Sequence, residues 1–369
     1  MVVPTVIGLA AARVAQIMQT ESLEISAGVP APLSAIPVVE TGPDFPMATL
    51  LAFEDLAHAL LDRATRHVPR AALHGADLVS RRWLEKSGSA HLGEIDAIAA
   101  RLKRPGAYFL SVNYEWGCTV GVKPGTEGSS ARLVRVLDWR TPGLGRFIIA
   151  ARVNGGAGPF VSMTWPGYTG VLQAMAPGRF AASLNQAPMR ESGGWYPLDW
   201  AVNRHRVWRM PHPTPAHLLR QAFETCATFD EAKRLLASSA IASPGIFSLA
   251  GLAPHETCVI ERRETTASVH DGPSVAANHW QAAGWHGRPR GIDSVGRSRM
   301  MHGVSNDFDT SFSWFKPPIL NDRTRLVMIA DASLGRLIAQ GYEADGQATL
   351  PLDLCVEPAA PATTMPIAS

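Results

Sequence analysis

Three observations predict an α+β fold. Helical periodicity is concentrated before Pro105, short β-rich runs begin at Tyr108, and helix followed by strand returns after Pro215. Blocks of helix and strand in this order fit α+β layering better than strict βαβ alternation. The 369 residues suffice for one large domain or two ordinary ones with a substantial core. A hydrophobic fraction of 46% against 18% charged residues excludes a disordered polyelectrolyte. With 34 Lys+Arg and 32 Asp+Glu the net charge is +2, far from the concentrated basic surface that nucleic acid requires. No nucleic-acid partner is expected.

The elements follow in order. Val6–Met18 has helical spacing at Val6, Leu9, Ala10, Val14 and Ile17, which suits either core packing or a peripheral lipid contact. The apolar opening stretch Val2–Ala12 lacks a basic n-region and a clean small-x-small cleavage site, and no run of 18 apolar residues occurs. A cytoplasmic protein without a membrane span is therefore expected. Pro30, Pro32, Pro37, Pro43 and Pro46 mark an extended connection. Leu50, Phe53, Leu56, Ala57, Leu60, Leu61 and Ala64 then share one helical face, and a second helix runs from Ala90 to Lys103 until Pro105 stops it. Strands are expected at Tyr108–Val112, Thr119–Val122, Arg132–Trp139, Phe147–Val153, Phe160–Thr164 and Phe180–Leu184. Pro215–Ala227 reads as helix, and Thr228 with Glu231 as a capping box for the next one. Strands resume at Glu256–Glu261, Ser268–His270, Leu326–Asp331 and Leu337–Gly341. Together these give a helical segment over residues 1–117 and a mixed domain over 118–369.

Several familiar chemistries are absent. The Gly143-Leu-Gly145 and Gly155-Gly-Ala-Gly158 clusters match neither nucleotide-binding glycine pattern and read as turns. His205, His212 and His217 lack metal-ligand spacing, as do His279 and His286. No metal and no cofactor is expected. There is no G-x-S-x-G elbow, and four scattered cysteines (Cys118, Cys226, Cys258, Cys355) make neither a disulfide scaffold nor a CxxC site.

Cys118 stands apart because it follows a glycine at the head of a strand, with Arg135 and Asp138 seventeen and twenty residues on. The surrounding motifs resemble the acid ceramidase and N-acylethanolamine-hydrolysing acid amidase family. That family belongs to the cysteine N-terminal nucleophile hydrolases, with choloylglycine hydrolases and penicillin V acylases. Gly93-Glu-Ile95 resembles its pre-cleavage segment, and Asn113-Tyr-Glu115 leads into its nucleophile. Arg135-x-x-Asp138 is similar to its R-N-x-D element, Trp165-Pro-Gly-Tyr-Thr-Gly170 to its G-Y-x-G turn, and Phe180–Asn185 to the strand that follows. Ala277-Asn-His-Trp280 resembles its T-N-x-x-x-W stretch, and Pro317–Asn321 its closing P-x-L-N. The chain departs in three places: the Cys118–Arg135 interval is one residue longer, the Asn278 element is shorter, and the paired cysteines of the lysosomal members have no equivalents.

The resemblance implies a four-layer αββα sandwich and self-cleavage at Gly117–Cys118 that frees an N-terminal cysteine. An α-amine of reference pKa about 7.7–8 then serves as base for the thiol. It also implies that Arg135 steadies the thiolate, that Asp138 holds the new ammonium or orients the amine, and that Asn185 (main chain) and Asn278 (side chain) form the oxyanion site. The closing arginine is Arg297 or Arg299, and Asp293-Ser-Val-Gly-Arg297 favours the former. Since residues three apart on a strand face opposite ways, Arg135 and Asp138 both reach Cys118 only if their strand bends or ends near Leu137. The implied substrate is a small-molecule N-acyl amine, hydrolysed at a linear carbon–nitrogen amide bond through an acyl thioester, with the two cleavage fragments as partners of each other. Acyl transfer to a second amine, and a non-catalytic lipid-binding relative, remain as alternatives.

Overall fold

A computed structural model describes residues 33–112 and 116–357. The Val6–Met18 helix and Asn113-Tyr-Glu115 lie outside these residues.

The first described region is helical apart from one strand. β1 (Val38–Gly42) leads into α1 (Phe45–Ala52), α2 (Glu54–Thr65), α3 (Arg70–Lys86), α4 (Leu92–Leu102) and α5 (Ala107–Val112). The single long apolar period read from Leu50 is two helices, broken at Phe53, whose φ of −139° leaves the α region. α4 closes on Lys103 in the left-handed conformation, two residues before Pro105. Tyr108–Val112, expected as strand, is helix α5. The Leu110 N–H donates to the Gly106 carbonyl (2.8 Å) and Ser111 Oγ to that of Ala107 (2.6 Å). Packing against α3 and α4 overrides the strand preference of an aromatic and β-branched run.

The remainder contributes β2 (Trp116–Pro124), β3 (Ala131–Trp139), β4 (Ile149–Gly155), β5 (Gly158–Thr164), β6 (Gln173–Ala176) and β7 (Phe180–Gln186). Three helices follow: α6 (Tyr196–Arg209), α7 (Pro215–Thr225) and α8 (Phe229–Ser238). Thr228 caps α8 by accepting the Glu231 N–H, while Glu231 reaches back to the Ala227 N–H, an exchange worth about 1 kcal/mol. Next come β8 (Gly245–Ala250), β9 (Thr257–Arg262), β10 (Ala267–Asp271), β11 (Ser274–Ala276) and α9 (Ser294–Met301). β12 (Thr324–Asp331), β13 (Arg336–Glu343), β14 (Gly346–Gln347) and β15 (Leu352–Cys355) close the described chain.

These strands form two sheets. One runs β1-β4-β5-β6-β7-β8-β9-β10, and the other β11-β2-β3-β12-β13-β14 with β15 also on β13. Period-two alternation explains how they stack. Along β3 and β12, Leu133, Leu137, Leu326, Met328 and Ala330 enter the main core between the sheets. Their neighbours Val134, Val136, Val327 and Ile329 face outward, into a second core with Met301 of α9, Phe312, Phe315 and Ile319. Helices α7 and α8 cover the outer face of the first sheet. The layer order is therefore α-β-β-α, an α+β sandwich whose fourth layer is α9 and the 302–323 segment. No described helix is long and apolar enough to cross a membrane.

Candidate active site

β2 and β3 build the site. Their antiparallel register sets Gly117 opposite Asp138, Cys118 opposite Leu137 and Val120 opposite Arg135. Cys118 and Arg135 therefore point into the space between the sheets, while Asp138 belongs to the outward set. β3 runs unbroken to Trp139, so the bend expected near Leu137 does not occur. The irregularity lies instead on β12, where Arg325 is the extra residue between Thr324, paired with Asp138, and Leu326, paired with Leu137. The expected conflict dissolves because the two charges approach different atoms of the Gly117–Cys118 unit.

On the inner face, Arg135 Nη2 lies 3.0 Å from Cys118 Sγ and 2.8 Å from the Leu184 carbonyl. Its Nε donates to Gln173 Oε1 (3.1 Å) and its Nη1 to Asn185 Oδ1. Arg135, Asn185, Gln173 and Cys118 are all fully buried. Burying a guanidinium is costly without a counter-charge, and these partners are neutral while the thiol is protonated. Burial pushes the Cys118 thiol up to about 11, with Arg135 pulling the other way. In the unbroken chain at neutral pH the thiol is thus protonated beside a cation that favours its anion.

On the outer face, Arg297 Nη1 donates to the Cys118 carbonyl (2.6 Å) and to Thr119 Oγ1 (2.7 Å), and sits 3.5 Å from Asp138 Oδ2. Asp138 also accepts from Thr324 Oγ1 (3.0 Å) and Asn321 Nδ2 (3.1 Å). Asn278 Oδ1 accepts from both the Cys118 N–H (2.7 Å) and Arg297 Nη2 (3.0 Å), and its Nδ2 donates to the Gln186 carbonyl. Gly117 is a glycine for space. A Cβ there would stand 3.3 Å from both Asp138 Cβ and Gly291 Cα.

All six residues expected at the site, Cys118, Arg135, Asp138, Asn185, Asn278 and Arg297, meet in this one network. Arg297 is buried in this network, whereas Arg299 is exposed. Asn185 joins through its side chain: Oδ1 meets Arg135 and Nδ2 donates to Ala276 and Ala277. Sequence reading passed over Gln173, Thr119, Thr324 and Ser294, whose Oγ accepts the Asn278 N–H at 2.8 Å. Gln173 carried a readable signal as the lone polar residue of the buried strand Gln-Ala-Met-Ala.

A cavity of about 370 Å³ adjoins the Gly117–Asp138 pair, and Trp116 and Trp139, stacked at 5.4 Å, share its wall. Trp139 also borders a smaller apolar cavity of about 100 Å³ beneath α2, α4 and α5, lined by Leu60, Leu61, Ile98, Leu102 and Trp165.

Sandwich and site together define a cysteine buried between two sheets, at which one arginine meets the thiol and another meets the cysteine's carbonyl. Among curated proteins, acid ceramidases are similar to this chain. The human protein is 30% identical over 113 residues, 30% of this chain and 27% of the human one, and the mouse protein is 31% identical over the same shares. The chain thus spans about a quarter of the length of the curated relatives it matches. The resemblance to acid ceramidases read from the motifs is borne out. Among solved structures, the Caenorhabditis elegans N-acylethanolamine-hydrolyzing acid amidase ortholog aligns at 20% identity over 64% of this chain and all of that chain, with a TM-score of 0.46. Penicillin V acylase from Agrobacterium tumefaciens aligns at 14% identity over 61% of this chain and 83% of that chain, with a TM-score of 0.38. No protein-family model matches.

Proposed function

We propose that this chain is an amidohydrolase that cleaves the linear carbon–nitrogen amide bond of an N-acyl amine through an acyl thioester on Cys118, after self-cleavage makes Cys118 N-terminal. One observation carries the reading: both reactive atoms of Cys118 are separately anchored, Sγ by Arg135 at 3.0 Å and the backbone nitrogen by Asn278 Oδ1 at 2.7 Å.

In maturation, Cys118 Sγ adds to the Gly117 carbonyl carbon, the Gly117–Cys118 C–N bond breaks, and the nitrogen takes up the thiol proton. Water then hydrolyses the resulting thioester, leaving a Gly117 carboxylate and a Cys118 α-amine. In turnover that amine removes the thiol proton, the thiolate attacks the substrate carbonyl, and the ammonium returns the proton to the departing nitrogen. Water resolves the acyl thioester. Arg135 stabilises the thiolate, Asp138 and Arg297 hold the backbone side of the cysteine, and Asn278 with Asn185 completes the polar cradle.

The apolar cavity bordered by Trp139 supports an apolar acyl group, each methylene of which would add roughly 0.8 kcal/mol. The fragments stay associated in this reading. β1 pairs with β4, and Glu94 of α4 binds Arg220 of α7 through two hydrogen bonds of 2.6 and 3.0 Å. The direct test is to trap the acyl thioester. Acid quench of matured protein with an N-acyl amine should show the acyl mass on the Cys118 fragment, labile to hydroxylamine; its absence during active turnover would contradict the mechanism.

A further inference from the structure

The backbone nitrogen of Cys118 rests on Asn278, and every polar atom of Asn278 is engaged in turn. Its Oδ1 accepts the Cys118 N–H and Arg297 Nη2, its Nδ2 donates to the Gln186 carbonyl (2.8 Å), and its carbonyl accepts the Arg290 N–H (3.1 Å). Its own N–H donates to Ser294 Oγ at 2.8 Å. Backbone groups and a planar guanidinium have fixed directions, whereas a hydroxyl turns about its C–O bond. The Ser294 contact therefore holds Asn278 firmly only if the hydroxyl is itself oriented.

The neighbouring side chain supplies that orientation. His279 Nδ1 lies 2.8 Å from Ser294 Oγ. The Asn278 N–H can only donate, so it takes a lone pair of Oγ and leaves the hydroxyl proton for the imidazole. Nδ1 is then the acceptor, which requires a neutral ring. Burial holds His279 below its ordinary value, with Arg297 acting in the same sense and Glu261 of β9 in the opposite one. Glu261 is itself engaged by the Gln281 and Ala282 N–H groups (2.7 and 2.6 Å) and by His270 of β10 at 3.1 Å. Ser294 and Arg297, three residues apart on α9, clamp Asn278 at its N–H and at its Oδ1, and Asp293 caps that helix by accepting the Gly296 N–H (2.9 Å).

Resting on the self-cleaving amidohydrolase reading, we infer that His279 is a positioning residue for both reactions of Cys118. His279 orients the Ser294 hydroxyl, Ser294 fixes Asn278, and Asn278 Oδ1 holds one N–H of the cysteine nitrogen, first in the scissile amide and then in the free amine. Holding that N–H directs the lone pair with which the amine acts as base. His279 acts through Ser294 and Asn278, not on the reacting atoms.

The experiment follows fragment formation by intact mass, and kcat and KM of matured protein with N-decanoylethanolamine, in H279A, H279N, S294A and the double variant H279A/S294A. His279→Ala and Ser294→Ala should each slow fragment formation and lower kcat by about tenfold, with KM changing less than about twofold. His279→Asn sets an amide oxygen near the place of Nδ1, restores the acceptor, and should bring both rates back to within about threefold of the wild type. The double variant should be no slower than either single one, because both break the same chain of contacts. H279N as slow as H279A, or losses that multiply in the double variant, would overturn the inference and make His279 a packing residue. Should His279→Ala fail to fold, a fast H279N beside a slow S294A supports the same conclusion, and equal rates in those two overturn it. A wild-type chain that forms no N-terminus at Cys118 defeats the underlying reading and takes the inference with it.

Discussion

The two faces of the β2–β3 hairpin differ in what they do to the same cysteine. The inner face offers Sγ one buried cation, Arg135, surrounded by neutral amide and carbonyl oxygens. The outer face carries Asp138, paired with Arg297, while the Cys118 backbone itself is met by Arg297 and by the Asn278 amide oxygen. One side of the sheet is suited to the thiol's charge and the other to a peptide bond. Strand alternation puts Arg135 and Asp138, three residues apart, on opposite faces.

Substitutions on each face should separate the two parts. The largest effect belongs to Arg135→Ala, which should lower kcat of matured protein by about 10²-fold or more while changing KM less. Steady-state kinetics on protein whose N-terminus has been sequenced checks this, with a melting curve to account for the unpaired Asn185 and Gln173 oxygens. Near-normal kcat would make Arg135 structural. Asp138→Asn removes the carboxylate beside Gly117 and should slow the appearance of the two fragments by about tenfold, with a loss of turnover alongside. A time course of intact mass follows it. Gly117→Ala adds a methyl against Asp138 Cβ and Gly291 Cα, and should slow maturation severalfold while altering turnover of matured protein less. Equal effects on both would erase the distinction between the faces.

The smallest expected effect lies away from the cysteine, where α4 meets α7. His91 and His217 stack at 4.4 Å, facing Arg220, Glu94, Glu224 and Thr169, with Asp44 near Glu94. Burial, and then Arg220, hold His91 down to about 4, and burial holds His217 well below its ordinary value. A folded pKa below the unfolded one means that this stability is complete above about pH 6.5. It declines as pH falls toward 4. The melting temperature should drop by several degrees across that interval, and His91→Asn should flatten the slope; an unchanged slope would remove these histidines from the account.

How much of this was legible in the sequence depends on which interactions decide each element. β3, β5, β7, β9, β12 and the α8 cap follow local periodicity or side-chain chemistry, and they fall where expected. α3 and α6 escaped detection, since charged residues are spread along both and blur their apolar period. β1 was hidden among prolines and is fixed by pairing with β4, far along the chain. At the site, residue types in order identified the six polar groups, whereas their division between two faces needed the β2–β3 register. Thr324 contributes only through tertiary proximity, for which no local pattern exists, whereas Gln173 stood out as the lone polar residue of its strand.

The central claim is that the backbone nitrogen of Cys118 becomes a free amine. Intact-mass measurement with N-terminal sequencing of purified wild-type and Cys118→Ala chains tests it most directly. The account predicts that the wild type resolves into two fragments, one beginning at Cys118, and that Cys118→Ala stays whole. An active wild-type protein with its Gly117–Cys118 bond intact would contradict it.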